Sequence, residues 1–128
     1  MRFKFQIEPW MVPILFPFGA VAEQCYAELH GRQLHVKMGR LFDETLELSS
    51  MASVESSTWP IYLGLGQRIG LQNQMGVLAS HRNVVRIRFS DPQFIKFLGA
   101  FHFKTHDFYL ALEDAEGFLE IMSLRLRP

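Results

Sequence analysis

The chain holds five histidines, and imidazole is the commonest metal ligand, so these side chains set the first question. Glu28, His30 and His35 belong to an alternating stretch from Tyr26 to Met38, which reads as a hairpin turning at Gly31-Arg32. Side chains two apart on a strand share a face, so the three fall together on its outer side. Two imidazoles and a carboxylate are a donor set that suits zinc or a similar ion. Their spacing matches no metal-binding motif, and a wet sheet face gathers such polar groups without a metal. His102 and His106 flank Phe103-Lys104-Thr105 in a segment that reads as strand, where their separation suits no helical ligand pair. Arg86 and Arg88 share a strand face, with Arg82 just before them. Three guanidinium forks suit a phosphate or a carboxylate, an anionic lipid head group among them, and outward arginines also guard a sheet against edge pairing.

Other groupings carry less chemistry. The run Gly64-Leu65-Gly66-Gln67-Arg68-Ile69-Gly70 has the look of a phosphate loop. It lacks the lysine followed by Ser or Thr, and the next segment reads as strand where a phosphate loop needs a helix N-terminus. Sheet curvature is the simpler reading of these glycines. Trp59 and Tyr62 beside them, with polar neighbours, mark the candidate mouth for a small molecule. The serines occupy no nucleophile elbow, and the carboxylates are too scattered for an acid–base pair. Cys25 is the single cysteine, so one chain forms no internal disulfide and no cysteine-based zinc site. It enters a strand and reads as a buried, inert thiol in a reducing compartment. The reading is a non-enzymatic protein with no catalytic residue and no cofactor.

The elements that would hold these residues are mostly strands. At 128 residues the chain fits a single domain spanning 1–128, able to bury roughly two-thirds of its unfolded surface. Thirteen basic and thirteen acidic residues cancel, which removes the pull towards nucleic acid and eases self-association. Met1 to Phe5 alternates as a strand does and is not expected to be a signal peptide. The apolar stretch Trp10 to Phe18 is too short to span a bilayer, so no transmembrane segment is expected and the protein reads as cytoplasmic. Pro9, Pro13 and Pro17 lack N–H donors and restrict the residue before each, so Met11 to Phe18 is expected as an edge strand or extended crossing. Within the apolar stretch from Trp10 to Phe18, Trp10, Phe16 and Phe18 form a candidate interface for a second subunit.

Further along, the hairpin should oppose Leu29 to Leu34 and Ala27 to Val36 on the core face. Thr45 to Ser50 is expected as a strand with Leu46 and Leu48 inward, continued irregularly from Met51 to Val54. Strands follow at Gln74 to Ser80, Asn83 to Phe89, Phe94 to Lys104 around Ala100, and Asp107 to Leu112, with turns at Ser90-Asp91-Pro92 and Thr105-His106. A helix is expected from Ala115 to about Leu124, capped by Asp114, with Arg125 and Arg127 at its negative end. Gly117 weakens it by roughly 1 kcal/mol, which a close contact with the sheet would explain. The phenylalanines sit mostly at inward positions and read as core, not as base-stacking platforms, and no nucleic acid is expected as partner.

About seven antiparallel strands closed by one C-terminal helix make a mainly β barrel or roll. Leu34-His35-Val36-Lys37-Met38-Gly39, Leu46 to Val54, Trp59 to Gly66, Val84 to Phe89 and Leu112 to Phe118 carry a likeness covering most of residues 26 to 124. Through them the chain resembles uncharacterised bacterial proteins with a pleckstrin-homology-like fold. The resemblance implies a binding or assembly module, working through protein–protein contact or self-assembly into a homo-oligomer. The basic loop of phosphoinositide-binding members is not recognisable, so no lipid-binding residue is carried over. A small-molecule or head-group binder is the alternative, and a metal-dependent enzyme ranks below it.

Overall fold

The computed structural model describes residues 1–70, 72–97 and 101–126. The side chains of Tyr62 and Phe97 lie outside the described residues, as do Ala100 and Arg127. The fold is mainly β, with two sheets and one C-terminal helix, and it is not a closed barrel. The first sheet runs in chain order: β1 (Arg2–Lys4), β2 (Cys25–His30), β3 (Gln33–Met38) and β4 (Phe42–Glu47). The second holds β5 (Met51–Ser56), β6 (Gly66–Ile69), β7 (Gln74–Leu78), β8 (Val84–Phe97) and β9 (Phe101–Ala111), ordered β5-β8-β9-β7-β6. Nine strands therefore stand, among the described residues, where about seven were expected. They are not all antiparallel, because β9 inserts between β7 and β8 and runs parallel to β7.

Local signals set the first sheet. The turn at Gly31 takes φ +56°, which a side chain would resist, and the register follows: Leu29 opposes Leu34 and Ala27 opposes Val36. Leu46 and Leu48 are both buried, but the strand stops at Glu47. Leu48–Ser50 makes one helical turn that carries the chain from the first sheet into β5 of the second. Both sheets pack into one core. Phe42 stacks on Phe108 across it, with centroids 5.6 Å apart, and Phe3 meets Phe118 of the C-terminal helix edge-on at 5.1 Å.

Three expectations are corrected. Ser90-Asp91-Pro92 is not a turn: β8 runs through it with a register shift between Arg88 and Gln93 that absorbs the extra residues as a bulge. Thr105-His106 does not turn either, since β9 is continuous from Phe101 to Ala111. The N-terminal segment is helical, not extended. It comprises the turns Pro9–Met11, α1 (Val12–Leu15) and Phe16–Phe18, and each has its proline in the first two positions. There the missing N–H is one the helix would leave unpaired anyway, so the prolines start short turns instead of breaking a long helix.

The C-terminal helix α2 (Ala115–Arg125) has its expected cap, with Gly117 N–H donating to Asp114 Oδ1 at 3.0 Å. The glycine has a different cause from the one expected. A Cβ at 117 would sit 2.3 Å from the Asp114 carboxylate, so the cap itself, not the sheet, requires the bare backbone. Close backbone approach does occur at Gly76, where a Cβ would meet the Trp59 ring at 2.9 Å.

Candidate interaction surface

The three N-terminal turns form a strap across the body of the domain. Met11 and Leu15, four residues apart, lie on one side and are buried in the core. The remaining large apolar side chains face out: Trp10 is 59% exposed, Val12 52%, Ile14 53%, Phe16 67% and Phe18 45%. No charged residue occurs from Pro9 to Ala22. A helix that is apolar all round is normally buried, and here the body covers only one side.

Both ends of the strap are clamped. At its start, Glu8 N–H donates to Ala79 O at 2.9 Å. The Glu8 carboxylate accepts from buried Ser80 Oγ at 2.5 Å and from Arg82 Nε at 2.9 Å, and these bonds, the serine's foremost, hold its pKa below the usual carboxylate range. At its end, Gly19 takes φ +68° and closes the last turn onto Phe16 O. Arg40 then donates from its backbone to Phe18 O at 2.9 Å and from its guanidinium to Pro17 O at 2.8 Å. Beside the strap lies an apolar cleft of about 370 Å³, walled by Phe5, Ile7, Pro9, Val12 and the Ala20–Ala22 stretch, with Lys4 and Glu113 as its ionisable lining. A smaller cleft of about 220 Å³ on the other flank is lined by Ile14, Phe18, Leu41 and Leu65, among others.

Of the residues the sequence singled out, Trp10, Phe16 and Phe18 stand together on this surface. Val12 and Ile14 belong with them and were missed. The Met11–Leu15 spacing is the signal that would have found them, because it marks a helical inward stripe and leaves the residues between them outside. The arginines do not converge on one anion. Arg82 is held by Glu8, Arg86 pairs with Glu55, and Arg88 reaches Asp107 at 3.2 Å. Arg86 and Arg88 do share the outer face of the second sheet, and the Arg86 hydrogen bond lowers the Glu55 pKa.

The donor set Glu28, His30 and His35 is divided. Glu28 meets His30 at 2.6 Å and Arg2 at 2.7 Å, while His35 turns to Asp43 on the next strand at 2.5 Å. Among the described residues, no group of three or more His, Cys, Asp or Glu side chains is placed to hold a metal ion. His102 and His106 sit on one strand about 13 Å apart, at roughly 3.3 Å per residue, and His106 leans on Asp107. Trp59 is buried. Its indole donates to Gly64 O at 2.8 Å, and its ring packs on Tyr109 with centroids 5.0 Å apart. Tyr62, its proposed companion, has its side chain outside the described residues. The glycine run forms β6, a strand, where a phosphate loop would lead into a helix. Cys25 is buried, and burial pushes its thiol up to about 11. Among the described residues no helix is long and apolar enough to cross a membrane.

The chain matches no protein-family profile, and it is similar to no curated protein and to no solved structure.

Proposed function

We propose that this domain is a non-enzymatic protein-interaction module and that the strap is its working surface. The observation that carries the reading is five exposed large apolar side chains on a segment clamped at both ends. An unclamped apolar segment could fold back onto the body. This one is held with its aromatic residues facing out, in the composition that interface cores favour. The pleckstrin-homology-like reading of the architecture rests on the succession of strands ending in one helix. The parallel β7–β9 pair and the helical strap lie outside that pattern. In this reading the polar outer faces, with their arginine–carboxylate pairs, serve solubility and strand order.

Photo-crosslinking tests the proposal. A photoreactive phenylalanine analogue replaces Phe16 in one sample and Glu120, on the exposed face of α2, in another. In an extract of the native cells the position-16 sample is expected to form protein adducts that the position-120 sample does not. Equal labelling, or no protein adduct from position 16, overturns the reading.

A further inference from the structure

The strap is a ridge with a groove at its side. Val12 belongs to both, since its side chain is exposed on the strap and also walls the 370 Å³ cleft. A ridge cannot enter its own groove. A second copy turned about a two-fold axis can place its ridge there and receive the first ridge in return, because in such an interface each contact occurs twice. We infer that the partner of the strap is a second copy of this chain, packed strap against strap, with each strap seated in the cleft of the other; the inference rests on the strap being an interaction surface.

Area and charge point to the same occupant. Aromatic side chains bury roughly 150–250 Å² each. At the exposures given above, the five outward residues present roughly 400 Å² of apolar surface. Two copies would then bury roughly 800 Å², close to the roughly 900 Å² apolar share of an interface of standard size. The strap itself is uncharged, the cleft is lined by one residue of each sign, Lys4 and Glu113, and the whole chain has a formal net charge of zero. Two copies therefore approach without the repulsion that like-charged subunits meet.

The test is sedimentation equilibrium of the full chain from about 1 to 500 µM, a range chosen because interfaces of this size bind from micromolar upward in strength. The wild type is expected to dimerise with a dissociation constant of about 1 µM or tighter. Phe16→Glu changes the ridge, and Ala22→Trp fills the cleft while leaving the ridge intact. Both positions are exposed, so when all three proteins are compared as monomers, well below the wild-type dissociation constant, both variants are expected to keep the wild-type thermal transition. Phe16→Glu is expected to weaken the dimer about 30-fold or more, as loss of an interface anchor does, and Ala22→Trp about tenfold or more. A wild type that stays monomeric at 500 µM overturns the second-copy inference. In that case, selective crosslinking from position 16 would show that the interaction reading stands on its own. A dimer indifferent to both variants, or sensitive to Phe16→Glu alone, overturns the seating in the cleft. Binding of a monomeric wild type to neutral phosphatidylcholine vesicles, lost in Phe16→Glu, would assign the strap to a lipid surface and overturn the inference as well.

Discussion

Leu15→Ala tests whether the strap is held where its function requires. Leu15 is 2% exposed and, with Met11, supplies the buried side of the strap. The substitution removes three carbons from the core, about 0.8 kcal/mol for each in transfer alone, or about 2.4 kcal/mol in all. The vacated space adds a cavity cost, limited here because the 220 Å³ cleft reaches Leu15 and lets the site relax. A loss of about 3 kcal/mol follows, a large share of the roughly 5–15 kcal/mol that holds a domain. With a urea m-value of about 1.5 kcal/mol/M the midpoint should fall by about 2 M. Hydrogen exchange locates the damage. The Ala20 amide bonds to Leu15 O and the Arg40 amide to Phe18 O, so both report on strap docking. If the strap opens as a unit, both should exchange about 100-fold faster, the equivalent of 3 kcal/mol. Val12→Ala, at an exposed position of the strap, is the control and, with the proteins compared as monomers, should change stability by under about 0.5 kcal/mol. A Leu15→Ala midpoint no lower than that of Val12→Ala, with Ala20 and Arg40 still protected, would refute the anchoring argument.

Three further outcomes are expected. Gly117→Ala should be near neutral in the wild type, because about 1 kcal/mol of helix propensity is offset by displacing the Asp114 cap. In an Asp114→Ala background it should stabilise by about 1 kcal/mol, raising the melting temperature by about 4 °C, and simple additivity across this double-mutant cycle would count against the clash. The Arg2 hydrogen bond, with His30 as second partner, brings the Glu28 carboxyl down from 4.5 to about 2. Its contribution to stability is therefore present above the unfolded value of 4.5 and lost as pH falls towards 2. Glu28→Gln should flatten the stability profile in that window, and an unchanged acid limb shows the pair to be without consequence. Native Cys25 should react with a thiol-specific disulfide reagent at pH 8 about 100-fold or more slowly than the urea-unfolded chain, since a thiol raised to about 11 is almost wholly protonated there; equal rates would contradict its burial.

Much of this protein is written in neighbouring residues. Alternation across Tyr26 to Met38 and a glycine suited to positive φ determined the β2–β3 register. Asp114 ahead of an apolar stripe determined where α2 begins. The aromatic residues of the N-terminal stretch were legible as an unusual surface before any fold was known, because they have no charged neighbours among them. These features depend on interactions within a few residues, which local periodicity and turn chemistry encode directly. The insertion of β9 between β7 and β8 was not legible, because one apolar alternation pairs equally well with several others. The binding partners of the charged groups were likewise hidden: Arg82 meets Glu8 across 74 residues, and Arg86 meets Glu55 across 31. Three spaced prolines argued locally for an extended chain, yet each found a place in the first two positions of a helical turn, where it is tolerated, once Met11 and Leu15 had a core to enter. Chain entropy makes every long-range contact costly until many form together. The strap's outward face, its clamps and the cleft at its side therefore exist only in the assembled tertiary structure, where the apolar residues that alternation turned inward have closed a common core.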